Sequence, residues 1–280
     1  MFDPNNIFHA LFIIPILNAL IAVYKLFEVF RIPGALGFAL IVLTVLIRFV
    51  LHPLTAKQLA STRKLAKLKP KLDELGKLHK DDKAQLQKEQ LRLYQEAGIN
   101  PAAGCLPLLL QMPILIALYN LFFQLLSNGN VADVVAAINK VVYFPLLHIT
   151  NLDLTFLGIN LALKPSDWQK HGVLLLSIPI ITALLQYWQT KTMTPKDSSE
   201  PTGQAPHRDS GQALAKKDDS EKKDEKKEDM GAAMQKQMAI MMPLMIGFFA
   251  YSFPLGLSLY WNTFTVFGII QQRHLNSKEG

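Results

Sequence analysis

Arg48 stands inside an apolar run from residue 35 to 54, six residues from its end, or about 9 Å along a helix. At such a depth in a membrane an arginine costs on the order of 2.5–3.5 kcal/mol. No aspartate or glutamate occurs in that run or in the four other charge-poor blocks of the chain, so no buried ion pair offsets the cost. Either the guanidinium snorkels to nearby headgroups, or it lines a water-filled cavity and attracts acidic groups there. Polar residues able to line that cavity are Gln111, Asn120, Gln186, Tyr260, Trp261 and Asn262. Each is equally suited to an interhelical hydrogen bond, and Trp261 and Gln186 also to the membrane interface.

Other chemistry is poorly served. The seven histidines, among them His52, His148 and His274, include no pair at a metal-ligand spacing of three to five residues, so a zinc protease is unsupported and no metal is expected. Gly256, Leu257 and Ser258 begin like a serine-hydrolase elbow, but Tyr260 replaces the closing glycine. There is no glycine-rich phosphate loop, hence no expected nucleotide or other cofactor. The single cysteine, Cys105, excludes an internal disulfide and a multi-cysteine metal site. The net charge of +7 comes without a base-reading motif, so nucleic-acid recognition is not expected. Met230, Met234, Met238, Met241, Met242 and Met245 form a cluster suited to adaptable apolar contacts.

The elements that position these residues follow from the charge pattern. Of 280 residues, 50% are hydrophobic and 18% charged. The charge lies between blocks of at least 17 apolar residues, a distribution unsuited to a water-facing globule. An all-α polytopic membrane protein is expected, with spans at 35–54, 104–126, 171–190, 234–252 and 255–272. Phe253 and Pro254 leave room only for a turn, so the last two should be an antiparallel hairpin. Residues 55–100 carry eleven lysines and arginines and residues 191–233 nine, whereas 128–170 carry only Lys140, Lys164 and Lys170. The first two segments are therefore cytoplasmic and the third external. That parity leaves the tail, 273–280, in the cytoplasm.

Residues 1–34 hold an apolar segment broken by Pro15 and Asn18 and followed by Lys25, Glu28 and Arg31. It is expected to be an interfacial amphipathic helix, with an extra span as the alternative; parity is the same in both cases. No basic region precedes it and no small-residue cleavage pattern ends it, so a cleaved signal peptide is not favoured. In the cytoplasmic segment, Leu65, Leu68, Leu72 and Leu75 recur at helical spacing. With Leu86 and Leu93, the Asp81–Asp82 pair as a cap, Gly98 as a stop and a kink at Pro70, this predicts a helical hairpin. Residues 191–233 have no apolar period beyond 194 and read as a charged linker.

Three blocks resemble the YidC/Oxa/Alb family of membrane protein insertases: LTVLIRFVLHPLTAKQ from Leu43, GINPAAGCLPLLLQMPILIALYN from Gly98, and FPLGLSLYWNTFTVFGIIQQ from Phe253. They occur in the right order, and the match covers most of residues 36–273. The resemblance implies a five-span core, a cytoplasmic hairpin and a positively charged groove open to cytoplasm and lipid. It makes Arg48 the groove arginine, with Gln186 and Trp261 near groove-lining positions, and it implies a bacterial cytoplasmic membrane. The implied partners are nascent membrane proteins and lipid, with the ribosome and a Sec-type translocon as further candidates. Against family variants, the large outer domain and the lipidated N-terminal cysteine are not expected here. The short tail, with Arg273 and Lys278, is a weak ribosome anchor.

Two other functions compete. An anion channel or secondary transporter would use Arg48 as its site, but no internal repeat is visible. A non-catalytic assembly scaffold would tolerate loss of Arg48. No enzyme activity is expected, for want of a reactive constellation.

Overall fold

The computed structural model describes residues 2–79, 82–98, 106–128, 130–193 and 230–277. A π-helical turn, His9–Ile13, leads into α1 (Ile14–Val29), followed by α2 (Ala35–Val50), α3 (His52–Leu78), α4 (Lys83–Glu96), α5 (Leu106–Asn128) and α6 (Val131–Asn139). Two short strands, β1 (Thr155–Phe156) and β2 (Ile159–Asn160), precede α7 (Trp168–His171), α8 (Ser177–Met193), α9 (Met230–Ser252) and α10 (Leu255–Ser277). The protein is overwhelmingly helical, as its composition requires. The segments Cys105 and 194–229, expected within a span and as a linker, lie outside the described residues.

His9–Val29 and Val173–Thr192 are apolar helical runs of 21 and 20 residues, each long enough to cross a membrane. Over 35–54, expected as one span, the helix is bent. α2 ends at Val50 and the chain resumes in α3 after a 59° bend. Pro53 lies in the first turn of α3, where a residue without an N–H is tolerated because no intrahelical acceptor awaits it. The break falls two residues after Arg48, which therefore lies in the last turn of α2, where a cation also complements the helix dipole.

One core runs through the helices. It joins Leu20 and Ile21 of α1, Leu36 and Leu40 of α2, Leu118 and Phe122 of α5, and Leu257 and Tyr260 of α10. Outside it, α8 exposes Ile180, Leu184 and Trp188, and α9 exposes Ile240, Leu244 and Phe248, the last at 68%. Apolar faces this continuous are unfavourable in water and suited to lipid. Met241, Met242 and Met245 are also exposed on α9, so these methionines form surface rather than core filling. α9 and α10 are joined by the expected short turn, yet each packs chiefly on α8, and α10 also on α2.

The segment expected to be external is folded over residues 130–170. Asn130 caps α6 by accepting from the Ala132 N–H at 3.0 Å. The Asn139 side chain bonds the backbone of Ile149 in both directions, at 2.8 and 3.0 Å. Val134, Ile138, Ile149 and Leu161 are buried in the common core. Carbonyls of Leu161 and Leu163 each accept at 2.8 Å from the N–H groups of Gly256 and Leu255, satisfying two of the free donors at the start of α10. The segment thus closes one end of the helix assembly.

In the segment 55–97, α3 packs on α4. Asp82 Oδ1 accepts from the Gln85 N–H at 2.9 Å and caps α4; Asp81 lies outside the described residues. After α4, Gly98 adopts φ +62° and donates its N–H to the Gln95 carbonyl at 3.0 Å, the left-handed stop that glycine favours. Pro70 lies within α3, which runs on past it.

Candidate functional site

Arg48 is 5% exposed. Its Nη2 donates to the backbone carbonyl of Phe264 on α10 at 2.7 Å, and Cζ lies 3.4 Å from the centre of the Phe264 ring. A carbonyl dipole and an aromatic face are the neutral partners that a guanidinium can find in an apolar interior. Among the described residues no carboxylate pairs with it. Its Nε is buried without a hydrogen-bond partner. The charge is therefore only partly satisfied by protein.

Four of the other expected residues join in pairs at consecutive positions of α10. Gln111 of α5, itself buried, donates its amide N–H to the Tyr260 hydroxyl. The Tyr260 ring is tilted against that of Phe264, with centroids 6.2 Å apart, which links this pair to Arg48. Trp261 Nε1 donates to Gln186 Oε1 of α8 at 3.2 Å. Consecutive residues of a helix point about 100° apart, so Tyr260 turns to α5 while Trp261 turns to α8. Asn120 does not join them. Nine residues beyond Gln111, it projects from the opposite side of α5, where Tyr119 and Phe123 are exposed.

The polar character of α10 extends further. Among the described residues, Ser258 Oγ, Asn262 Oδ1, Thr265 Oγ1 and both polar atoms of the Gln271 amide are buried without hydrogen-bond partners. Each such atom carries a desolvation penalty of about 1–3 kcal/mol unless water reaches it. On the side of α10 facing away from Phe264, an apolar crevice of about 320 Å³ is lined by Val45, Asn262, Thr263, Val266, Phe267 and Ile270. It lies beside the charge rather than around it.

Three residues at the site escaped the sequence reading. Phe264 supplies both partners of Arg48, and both the guanidinium and the Gln189 amide crowd the space beside Gly268. A signal existed in the four-residue spacing of Tyr260, Phe264 and Gly268, which sets them along one face of α10. A phenylalanine and a glycine in an apolar helix have no polar signature, so that spacing could not be distinguished from ordinary packing.

Lipid-suited outer faces around a helical core that buries a lone arginine define an all-α membrane protein. Residues 26–279 match the family described as 60Kd inner membrane protein, and the chain belongs to this family, the YidC/Oxa/Alb insertase family. Similar proteins include the inner membrane ALBINO3-like protein 2 of the Chlamydomonas reinhardtii chloroplast, 30% identical over 260 residues. The inner membrane protein ALBINO3 of Arabidopsis thaliana is 30% identical over 262 residues, and the membrane protein insertase YidC of Helicobacter pylori 25% over 253. These alignments take in 88%, 89% and 88% of the chain but 51%, 48% and 34% of the relatives. The chain thus spans about half or less of their length.

Proposed function

We propose that this protein inserts nascent membrane proteins into the bilayer and helps them fold, through a hydrophilic, positively charged groove around Arg48. A membrane insertase role is supported by the names of its bacterial relatives. The observation that carries the groove is Arg48 itself, buried and without a carboxylate partner among the described residues, beside a helix on which polar atoms of Ser258, Asn262, Thr265 and Gln271 are buried without hydrogen-bond partners. Water admitted along α10 satisfies those atoms and shortens the dry distance that a translocated polar tail must cross. Arg48 then attracts acidic groups of the tail, and the apolar segment of the client partitions into lipid along α8 and α10.

In this reading the spans are α2, α5, α8, α9 and α10, with the α3–α4 hairpin, the linker and the C-terminus in the cytoplasm of a bacterium. The hairpin meets incoming clients and their delivery machinery, including the ribosome or a Sec-type translocon. The N-terminal helix lies on the outer face. Supporting this, α1 touches the outer segment at well-separated points: Asn18 bonds Val141 and Tyr143, and Tyr24 bonds Asn151 and Asp153. A helix crossing the bilayer would meet an outer cap only at one end.

The test is reconstitution of the full chain in liposomes, with protease protection of a single-span client bearing an acidic translocated tail. Wild-type protein is expected to protect the tail. Arg48→Ala should lower protection on the order of tenfold, the effect of losing one modest charge interaction. Equal protection by a well-folded Arg48→Ala protein would sink the groove charge.

A further inference from the structure

We infer that Phe264 and Gly268 are positioning residues that together form a berth on α10 for the Arg48 guanidinium, and so set where the charge of the site stands. This rests on the reading of Arg48 as the groove charge.

Three contacts converge on one group. The Phe264 carbonyl accepts from Nη2 at 2.7 Å. The Phe264 ring lies under Cζ at 3.4 Å. One turn on, Gly268 leaves the space that the fork occupies: a Cβ built there would fall 2.6 Å from Arg48 Nη2, 2.6 Å from Gln189 Nε2 and 3.3 Å from Arg48 Cζ. Contacts below 3.0 Å require displacement of a neighbour, and here both neighbours are polar ends of long side chains. Gly268 has an ordinary helical conformation, so backbone freedom does not account for glycine at this position. Room for the guanidinium and the Gln189 amide does.

The physical consequence is a fixed charge. An unrestrained arginine would distribute its fork among many rotamers, several of them toward the cytoplasmic headgroups. Carbonyl, ring and vacancy select one, against α10 and beneath Tyr260. The berth occupies Nη2 and one face of the plane, and leaves Nε without a protein partner. A guanidinium held in this way retains donor capacity for an acidic group, at a place set by α10.

Chemical modification of Arg48 tests the berth without reference to any client. Full-length protein in phosphatidylethanolamine–phosphatidylglycerol vesicles is treated with phenylglyoxal, and adducts at each arginine are quantified by peptide mass spectrometry. In Gly268→Ala the Arg48 rate should rise about tenfold, the population shift expected when one charge-assisted hydrogen bond is lost. In Phe264→Leu, which keeps the carbonyl and removes the ring, it should rise about threefold. Arg31 and Arg273, both exposed, should react unchanged and serve as internal controls of folding. In the client assay, both variants should reduce protection of an acidic tail but not of a neutral one, and neither should add to the effect of Arg48→Ala.

An unchanged Arg48 rate in Gly268→Ala, with unchanged controls, overturns the berth. If all arginines of Gly268→Ala react faster, that variant has unfolded and Phe264→Leu decides: a rise confined to Arg48 supports the berth, and no rise overturns it. Normal insertion by Arg48→Ala overturns the groove reading instead, and the modification rates still judge the berth by themselves.

Discussion

Tyr260 is fully buried, and its hydroxyl accepts from the Gln111 amide in the middle of the helix assembly. Removing one partner leaves the other unsatisfied. Tyr260→Phe is therefore expected to cost about 1–3 kcal/mol, while the double variant with Gln111→Leu should lose less than the sum of the two single changes. Unfolding midpoints in detergent for the four proteins check this; strict additivity would show that the pair is not coupled. Trp261 and Gln186 form the second such pair, so α10 is held by side-chain bonds to α5 and α8 in addition to packing. Arg48 was legible as an anomaly because a charge in an apolar run has a cost that demands an explanation. Phe264 and Gly268, which accommodate it, were not, since an apolar residue in an apolar helix signals nothing until its neighbours are known.

Elements carry a second level of argument. α1 and the outer segment are bound through Asn18, whose amide donates to the Val141 carbonyl at 3.1 Å and whose oxygen accepts from the Tyr143 N–H at 2.7 Å. Asn18→Leu removes both bonds while keeping the volume similar, and should cost about 1–3 kcal/mol. Limited proteolysis of the purified protein should then cut near residues 141–144 faster than in wild type, with the helical core intact. The same contacts underlie the disposition proposed for α1. A cysteine placed at Asp3 in a Cys105→Ser background should react with an impermeant maleimide added outside intact cells; labelling only after permeabilisation would make α1 a sixth span with its N-terminus inside. Pro15 and Asn18 suggested an interfacial helix, although the asparagine proves to be a tie to the outer segment as well as an interruption of apolarity. The cap of α4 at Asp82 was legible, because caps are local. The folded outer segment was not, because its order rests on pairs far apart in sequence, such as Leu255 with Leu163.

At the scale of the molecule, the proposed insertion draws its work from partitioning of the client's apolar segment and from the membrane potential acting on the tail, at about 2.3 kcal/mol per charge per 100 mV. A potential positive on the receiving side should therefore raise protection of an acidic tail and leave a neutral tail unaffected. Liposomes with potassium gradients and valinomycin measure both, and equal responses of the two tails would remove the potential from the mechanism. The protein contributes a low barrier and a fixed point of attraction. Its exposed apolar faces on α8 and α9 supply the lipid contact that such a path requires.

Some of this was settled before folding. The charge-poor blocks, the basic segments between them and the lone arginine follow from residue order, because partitioning between water and lipid acts on each segment almost independently of the others. The family resemblance likewise lies in three local blocks. Folding alone brings Arg48 to Phe264, 216 residues away, bends the chain by 59° just beyond it, and turns Asn120 away from the site. These outcomes depend on the relative rotation of packed helices, a property that belongs to pairs of elements and that no single segment carries.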